Sequence, residues 1–165
     1  MSDGMTGENA QELSNVEQRL AAVNAAVPPV AAPVASYVPA VAHAGFVYTS
    51  GQLPFVEGEL TTVGKVGAEV LEDEAMALAA VACLNALAAV KDRIQNLDRV
   101  TQVVKLTVFV NSDDGFTGQP RVANGASELL ADAFGDAGRH ARSAVGVSEL
   151  PLNSPVEIEL VVAFE

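Results

Sequence analysis

Two side chains near the C-terminal end could act on the same small molecule. Arg142 stands at the head of an apolar run, Arg-Ser-Ala-Val-Gly-Val, and Glu157 opens a second one, Val-Glu-Ile-Glu-Leu-Val-Val. A guanidinium offers two parallel N–H groups to a carboxylate. A carboxylate held in a partly apolar place is raised toward neutrality and can take a proton from water. Together they outline recognition of a small acid and attack of water on it. His140, two residues before Arg142, is a further acid/base candidate near neutral pH. His43 reads as a solvated turn residue. Glu159, two residues after Glu157, reads as an ordinary solvent-facing carboxylate.

Strand periodicity decides what these groups share. Side chains alternate between the faces of a strand. Arg142 therefore shares a face with Ala144 and Gly146, and Ser143 shares the other with Val145 and Val147. The small neighbours leave open space beside Arg142. On the second strand Val156, Ile158, Leu160 and Val162 form the apolar face, and Glu157 and Glu159 point the other way. If the two strands lie close in one sheet, cation, carboxylate and gap can share a face as a small-anion pocket. The alternative for Arg142 is a structural salt bridge.

The elements that must position these groups are legible in order. Residues 1–13 read as a flexible tail, and residues 14–165 as a single domain. Ser14 and Glu17 have capping-box spacing, and Val16, Leu20, Val23 and Val27 then line one helical face until Pro28 and Pro29 stop it. Residues 30–36 read as an extended linker. Residues 37–42 and 46–50 read as two strands around a turn at His43-Ala44-Gly45. Residues 57–67 read as a loop with room for a short strand. A long helix is expected over residues 72–95, acidic in its first turn and basic in its last, as the helix dipole prefers. Cys83 on it reads as a core residue. A strand over residues 98–111 and a helix over residues 120–134, opened by Pro120, complete the order before the two terminal strands. Two long helices on one face of a mixed sheet make an α+β layout. A second apolar sheet face would need cover, which a homo-oligomer supplies.

Composition narrows the field. The chain has 165 residues, half of them hydrophobic, and a formal net charge of −12. So acidic a chain lacks the basic footprint of a nucleic-acid binder, which makes RNA or DNA an unexpected partner. One cysteine excludes an intrachain disulfide and a cysteine-based zinc site. Two histidines without clustered carboxylates give no metal site. The polar, acidic start is neither a signal nor a transit peptide, and the longest apolar run falls short of a membrane span. The expectation is a soluble, cytoplasmic protein without a membrane partner.

Three segments in register resemble the Rid family, the YjgF-type reactive-intermediate deaminases also filed as L-PSP endoribonucleases. They are Tyr37-Val38-Pro39-Ala40-Val41 with Thr49-Ser50-Gly51-Gln52-Leu53-Pro54; the run from Val103 to Val110; and Ala141-Arg142-Ser143 with Leu150-Pro151 and Val156-Glu157-Ile158-Glu159. The resemblance implies a chorismate-mutase-like α+β fold, usually a homotrimer with sites between subunits. It implies cofactor-free hydrolysis of 2-imino acids or their enamine tautomers to 2-oxo acids and ammonia. By this resemblance Arg142 grips the substrate carboxylate, Glu157 handles the attacking water, and Tyr37, Ser50, Gly51 and Asn124 line the pocket. His140 is a candidate beside them, and Ala144 supplies room and backbone contacts. Ala144 departs from the pattern, because many active members carry Cys there, and Pro39 stands where Gln is frequent. Those departures leave two other readings in play: a non-catalytic small-carboxylate-binding homologue and, less favoured by the charge, an endoribonuclease.

Overall fold

The computed structural model describes residues 12–31 and 36–165. The expected tail therefore lies outside the described residues except for its last two positions, and four residues of the expected linker lie outside them as well. Helix α1 (Asn15–Ala22) starts with the expected capping box, since the Ser14 hydroxyl accepts from the Glu17 N–H and the Glu17 side chain accepts from the Ser14 N–H. It ends well before Pro28. Asn24 takes a left-handed backbone conformation, and the N–H groups of Val23, Asn24 and Ala25 close on the last carbonyls of the helix. Val23 is accordingly exposed rather than part of the buried stripe.

Strands β1 (Ala40–His43) and β2 (Phe46–Thr49) form a hairpin with a two-residue turn. Ala44 and Gly45 both have positive φ, which is the geometry such tight hairpins need. His43 thus ends a strand, one residue later than expected. A small hairpin pairs β3 (Phe55–Val56), just before the expected loop, with β4 (Glu59–Leu60), the short strand for which that loop had room. Helix α2 (Glu72–Ile94), strand β5 (Val100–Asn111), helix α3 (Gln119–Phe134), strand β6 (Ala141–Val147) and strand β7 (Val156–Phe164) follow.

The five long strands form one sheet in the order β1-β2-β7-β5-β6. The β5–β6 pair is parallel and joined through α3, and the other pairs are antiparallel. Helices α2 and α3 pack on one face and on each other, so the mixed α+β layout holds. Val47, Leu106, Val108, Ile158, Leu160 and Val162 line that face and are fully buried. The two helices approach closely at Gly125, where a Cβ would lie 1.9 Å from the Met76 carbonyl oxygen. Helix α2 is long and apolar enough, by length and composition, to cross a membrane. Here Leu78, Leu87, Val90 and Ile94 are spent on the core of the domain. Cys83 sits in the same core, where burial pushes its thiol up to about 12.

The opposite face of the sheet carries Val41, Tyr48 and Val145, each between 44% and 51% exposed. Among the described residues no element packs over them. Burying such side chains is worth about 1.5–3 kcal/mol each, a gain that one chain alone leaves unmade on this face.

Candidate active site

Arg142 and Glu157 occupy opposite faces of the sheet. Strand β5 lies between β6 and β7, with Leu106 beside Arg142 and Phe109 beside Glu157. Leu106 is buried under the helices, and Arg142 points the same way, onto α3. Glu157 falls between buried Val156 and Ile158 and so points to the open face. Two strand spacings and three residues of offset separate them, about 10 Å across and about 10 Å along, in addition to the thickness of the sheet. The shared-face pocket expected from adjacent strands therefore does not form within one chain.

The Arg142 half is built by α3. Its guanidinium donates through Nη1 to Asn124 Oδ1 at 2.8 Å and to Ser127 Oγ at 3.2 Å, and through Nη2 to the Pro120 carbonyl at 3.2 Å. Asn124 and Ser127 are three residues apart on one helix, so they lie side by side on the same face. Arginine has five N–H donors. Among the described residues Nε and one Nη2 hydrogen have no protein acceptor, and Nε with Nη2 is the edge that meets a carboxylate side-on. The Asn124 amide, turned with its oxygen toward Arg142, leaves its NH2 donors available. No acidic residue neutralises the guanidinium among the described residues, which removes the salt-bridge alternative within one chain.

His140 belongs to this half. Its Nδ1 lies 2.6 Å from the Gly138 carbonyl oxygen and its Nε2 lies 2.9 Å from Ser127 Oγ. Ser127 thus joins His140 to Arg142. Sequence reading missed Ser127; the signal was its three-residue spacing from Asn124 on a helix facing the Arg142 strand. Ala144 shares Arg142's face but packs against the core. The space over Gly146 is filled too, since a Cβ there would lie 2.8 Å from Gln119 Nε2 and 2.9 Å from Ser112 Oγ. The gap expected beside Arg142 is thus occupied by Gln119 at the start of α3 and by Ser112.

The Glu157 half is built by the segment after β2. Gln52 exchanges both backbone hydrogen bonds with Ile158, at 2.8 and 3.0 Å, which lays residues 50–52 along the start of β7. Gly51 then sits against the Glu157 carboxylate, and a Cβ there would land 1.8 Å from Oε1. Ser50 donates to the Val38 carbonyl at 2.6 Å, and its N–H bonds the Pro39 carbonyl at 2.8 Å, tying down the chain just after Tyr37. Tyr37 is half exposed. The structure thus brings Ser50, Gly51 and Glu157 together, with the Tyr37 backbone anchored next to them, and it gathers Asn124, His140 and Arg142 separately. Among the described residues no donor bonds Glu157. Burial raises its pKa, and the neighbouring Glu159 charge raises it further. Among the described residues no group of three or more His, Cys, Asp or Glu could hold a metal ion.

A mixed sheet with two helices on one face, an arginine in a helix-supported polar nest and a strand carboxylate against a glycine define a YjgF-like α+β domain. Residues 17–164 match the family model described as "YjgF/chorismate mutase-like, putative endoribonuclease", and the chain belongs to this family. The Trypanosoma cruzi protein TCP17 is 42% identical over 137 residues, covering 82% of this chain and 86% of that protein. A crystal structure of an Agrobacterium tumefaciens protein of unknown function is 38% identical, covers 91% of this chain and 92% of that one, and superposes with a TM-score of 0.86. A Shewanella oneidensis structure given the same endoribonuclease description is 34% identical, covers 90% of this chain and 99% of that one, and has a TM-score of 0.87.

Proposed function

We propose that this protein hydrolyses small 2-imino acids, or their enamine tautomers, to 2-oxo acids and ammonia, at sites formed between copies of the chain. The observation that carries the reading is the complementary incompleteness of the two halves. Among the described residues Arg142 keeps unused N–H donors and has no counter-charge, and Glu157 is a partly buried carboxylate without a donor. On one chain they face away from each other across the sheet. A second copy docked on the apolar open face would bring its own Arg142 edge to this chain's Glu157, Tyr37, Ser50 and Gly51. A closed ring of three copies satisfies every such face with one kind of contact.

In that site the substrate carboxylate pairs with Nε and Nη2 of Arg142, and the Asn124 amide donates beside it. The imine carbon then lies toward the partner's Glu157. Glu157 accepts a proton from water as the oxygen attacks that carbon, forming a carbinolamine. Returning that proton to nitrogen makes ammonia the leaving group, and as the C–N bond breaks Glu157 takes the carbinolamine O–H proton, so that the 2-oxo acid forms. A raised pKa suits a carboxylate that must both take and give the proton near neutrality. Backbone N–H groups and the small Ala144 do not supply a nucleophile, and none is needed when water is the attacking group. The reaction uses no cofactor, and the acidic surface suits a cytoplasmic enzyme with a small-molecule substrate better than one with an RNA substrate.

Imino acids generated in situ by an amino-acid oxidase provide the test. Wild-type protein should speed their decay over buffer. Two charge-assisted hydrogen bonds are worth about 1.5–3 kcal/mol each, so Arg142→Ala should lose about a hundredfold or more in kcat/KM with its oligomeric state unchanged. No acceleration by wild type across several side chains would overturn the proposal. Binding of 2-oxo acids without turnover would instead indicate a carboxylate-binding homologue.

A further inference from the structure

Arg142 is tied through one hydroxyl to a histidine, and the direction of the hydrogens in that chain is determined. The Gly138 carbonyl can only accept, so His140 Nδ1 carries a hydrogen at their 2.6 Å contact. In the neutral ring Nε2 is then a bare lone pair. Ser127 Oγ, 2.9 Å away, must spend its hydrogen on Nε2. The same oxygen accepts from Arg142 Nη1 at 3.2 Å. A second proton on the ring reverses the Ser127–His140 bond. Nε2 becomes a donor, Oγ accepts from both Nε2 and Nη1 with its two lone pairs, and the hydroxyl hydrogen is released to point elsewhere.

We propose that Ser127 and His140 are positioning residues that make carboxylate binding at Arg142 proton-linked, tighter when the His140 ring is protonated. The inference rests on the reading of Arg142 as a carboxylate site. Protonation adds a positive charge one hydroxyl away from the guanidinium, and that charge favours an anion on the guanidinium edge. By linkage the bound anion favours the proton on the ring to the same extent, because it offsets the repulsion between imidazolium and guanidinium.

The charged groups on the elements around the ring do not short-circuit this relay. Helix α3 carries Arg121, Glu128 and Asp132, the turn before β6 carries Asp136 and Arg139, and β5 carries Lys105. Arg121 pairs with Glu72 and Asp73, Arg139 with Asp136, and the Lys105 ammonium donates to Ser143 Oγ. Among the described residues none of them bonds the imidazole, and only Arg142 reaches it, through Ser127.

The experiment is calorimetric titration of the full chain with pyruvate, a 2-oxo acid with no imine to hydrolyse, at pH 5.5 and pH 8 in buffers of different ionisation enthalpy. Wild type should bind about five- to tenfold more tightly at the lower pH, a coupling of ordinary size, with net proton uptake in between. His140→Gln and Ser127→Ala should still bind pyruvate but with the pH dependence flattened, and Ser127→Thr, which keeps the hydroxyl, should restore it. Pyruvate affinity that is flat with pH in wild type, an unaltered slope in His140→Gln, or no pyruvate binding at either pH would overturn the inference. Imine hydrolysis with a flat pyruvate profile would leave the proposed activity standing and sink the relay. A proton-linked pyruvate site without imine hydrolysis would do the opposite.

Discussion

The helix-covered face and the bare face of one sheet treat their charged residues in opposite ways. On the covered face Arg142 is supported by three acceptors from α3: the Asn124 amide oxygen, the Ser127 hydroxyl and the Pro120 carbonyl. On the bare face Glu157 has no donor among the described residues, presses against Gly51, and shares its face with a second carboxylate, Glu159. The cation is pre-organised and the acid is left under electrostatic strain. In the proposed reading, geometry is invested in the group that recognises and a shifted proton affinity in the group that reacts. Neither arrangement makes a complete site alone, and in the proposed reading a second copy on the apolar open face supplies the other half.

The largest break in this comparison comes from removing the reacting group. Glu157→Gln keeps shape and loses the proton acceptor, and should lower the imine-hydrolysis rate by about 10²–10⁴-fold, read as kcat with KM little changed. A smaller effect comes from crowding it. Gly51→Ala puts a methyl where Oε1 now sits, so the carboxylate must move. Overpacking of this kind costs about 1–3 kcal/mol, visible as a lower Tm together with a reduced kcat.

The mildest effect sharpens the comparison through stability. Burial, with help from Glu159, holds the Glu157 pKa above the usual carboxylate range. The folded state therefore binds this proton more tightly than the unfolded state. The full stability is present at low pH, where the group is protonated in both states, and is lost as pH rises through the folded-state pKa. Glu157→Gln should then melt slightly higher than wild type at neutral pH, with the gap closing as the pH falls through the folded-state pKa of Glu157. An equal gap at every pH would show that Glu157 is not strained.

Much of the frame was legible from local chemistry. Capping at Ser14 and Glu17, the acidic start and basic end of α2, and the Gly135 end of α3 are decided by residues a turn or less apart. The alternation within β6 and β7 was equally local, and it correctly separates Arg142 from Val145 and Glu157 from Ile158. What alternation cannot reveal is which face of β6 meets the helices. Val145 and Val147 look like the core side, yet Arg142, Ala144 and Gly146 face α3, because small residues let the helix start pack close. Strand order is likewise non-local, and the insertion of β5 between β6 and β7 is what undid the one-chain pocket. The early end of α1 depended on Asn24 adopting a left-handed conformation, which the heptad-like spacing of Val23 and Val27 concealed. At the site, Arg142 and Glu157 stood out by type and spacing, whereas Asn124, Ser50 and Gly51 entered only through the family resemblance. Ser127 did not, because a lone helix serine acquires meaning only when the partner strand is known.

The most direct test of a site completed by another copy is subunit complementation. Arg142→Ala and Glu157→Gln protein, each inactive toward 2-imino acids, would be unfolded together, refolded as a mixture and assayed. If each site takes its arginine from one copy and its glutamate from the next, about one in four sites in randomly mixed rings regains both groups, and activity should return to about that fraction of wild type. Activity in the mixed assemblies no greater than in the separately refolded variants would contradict the account.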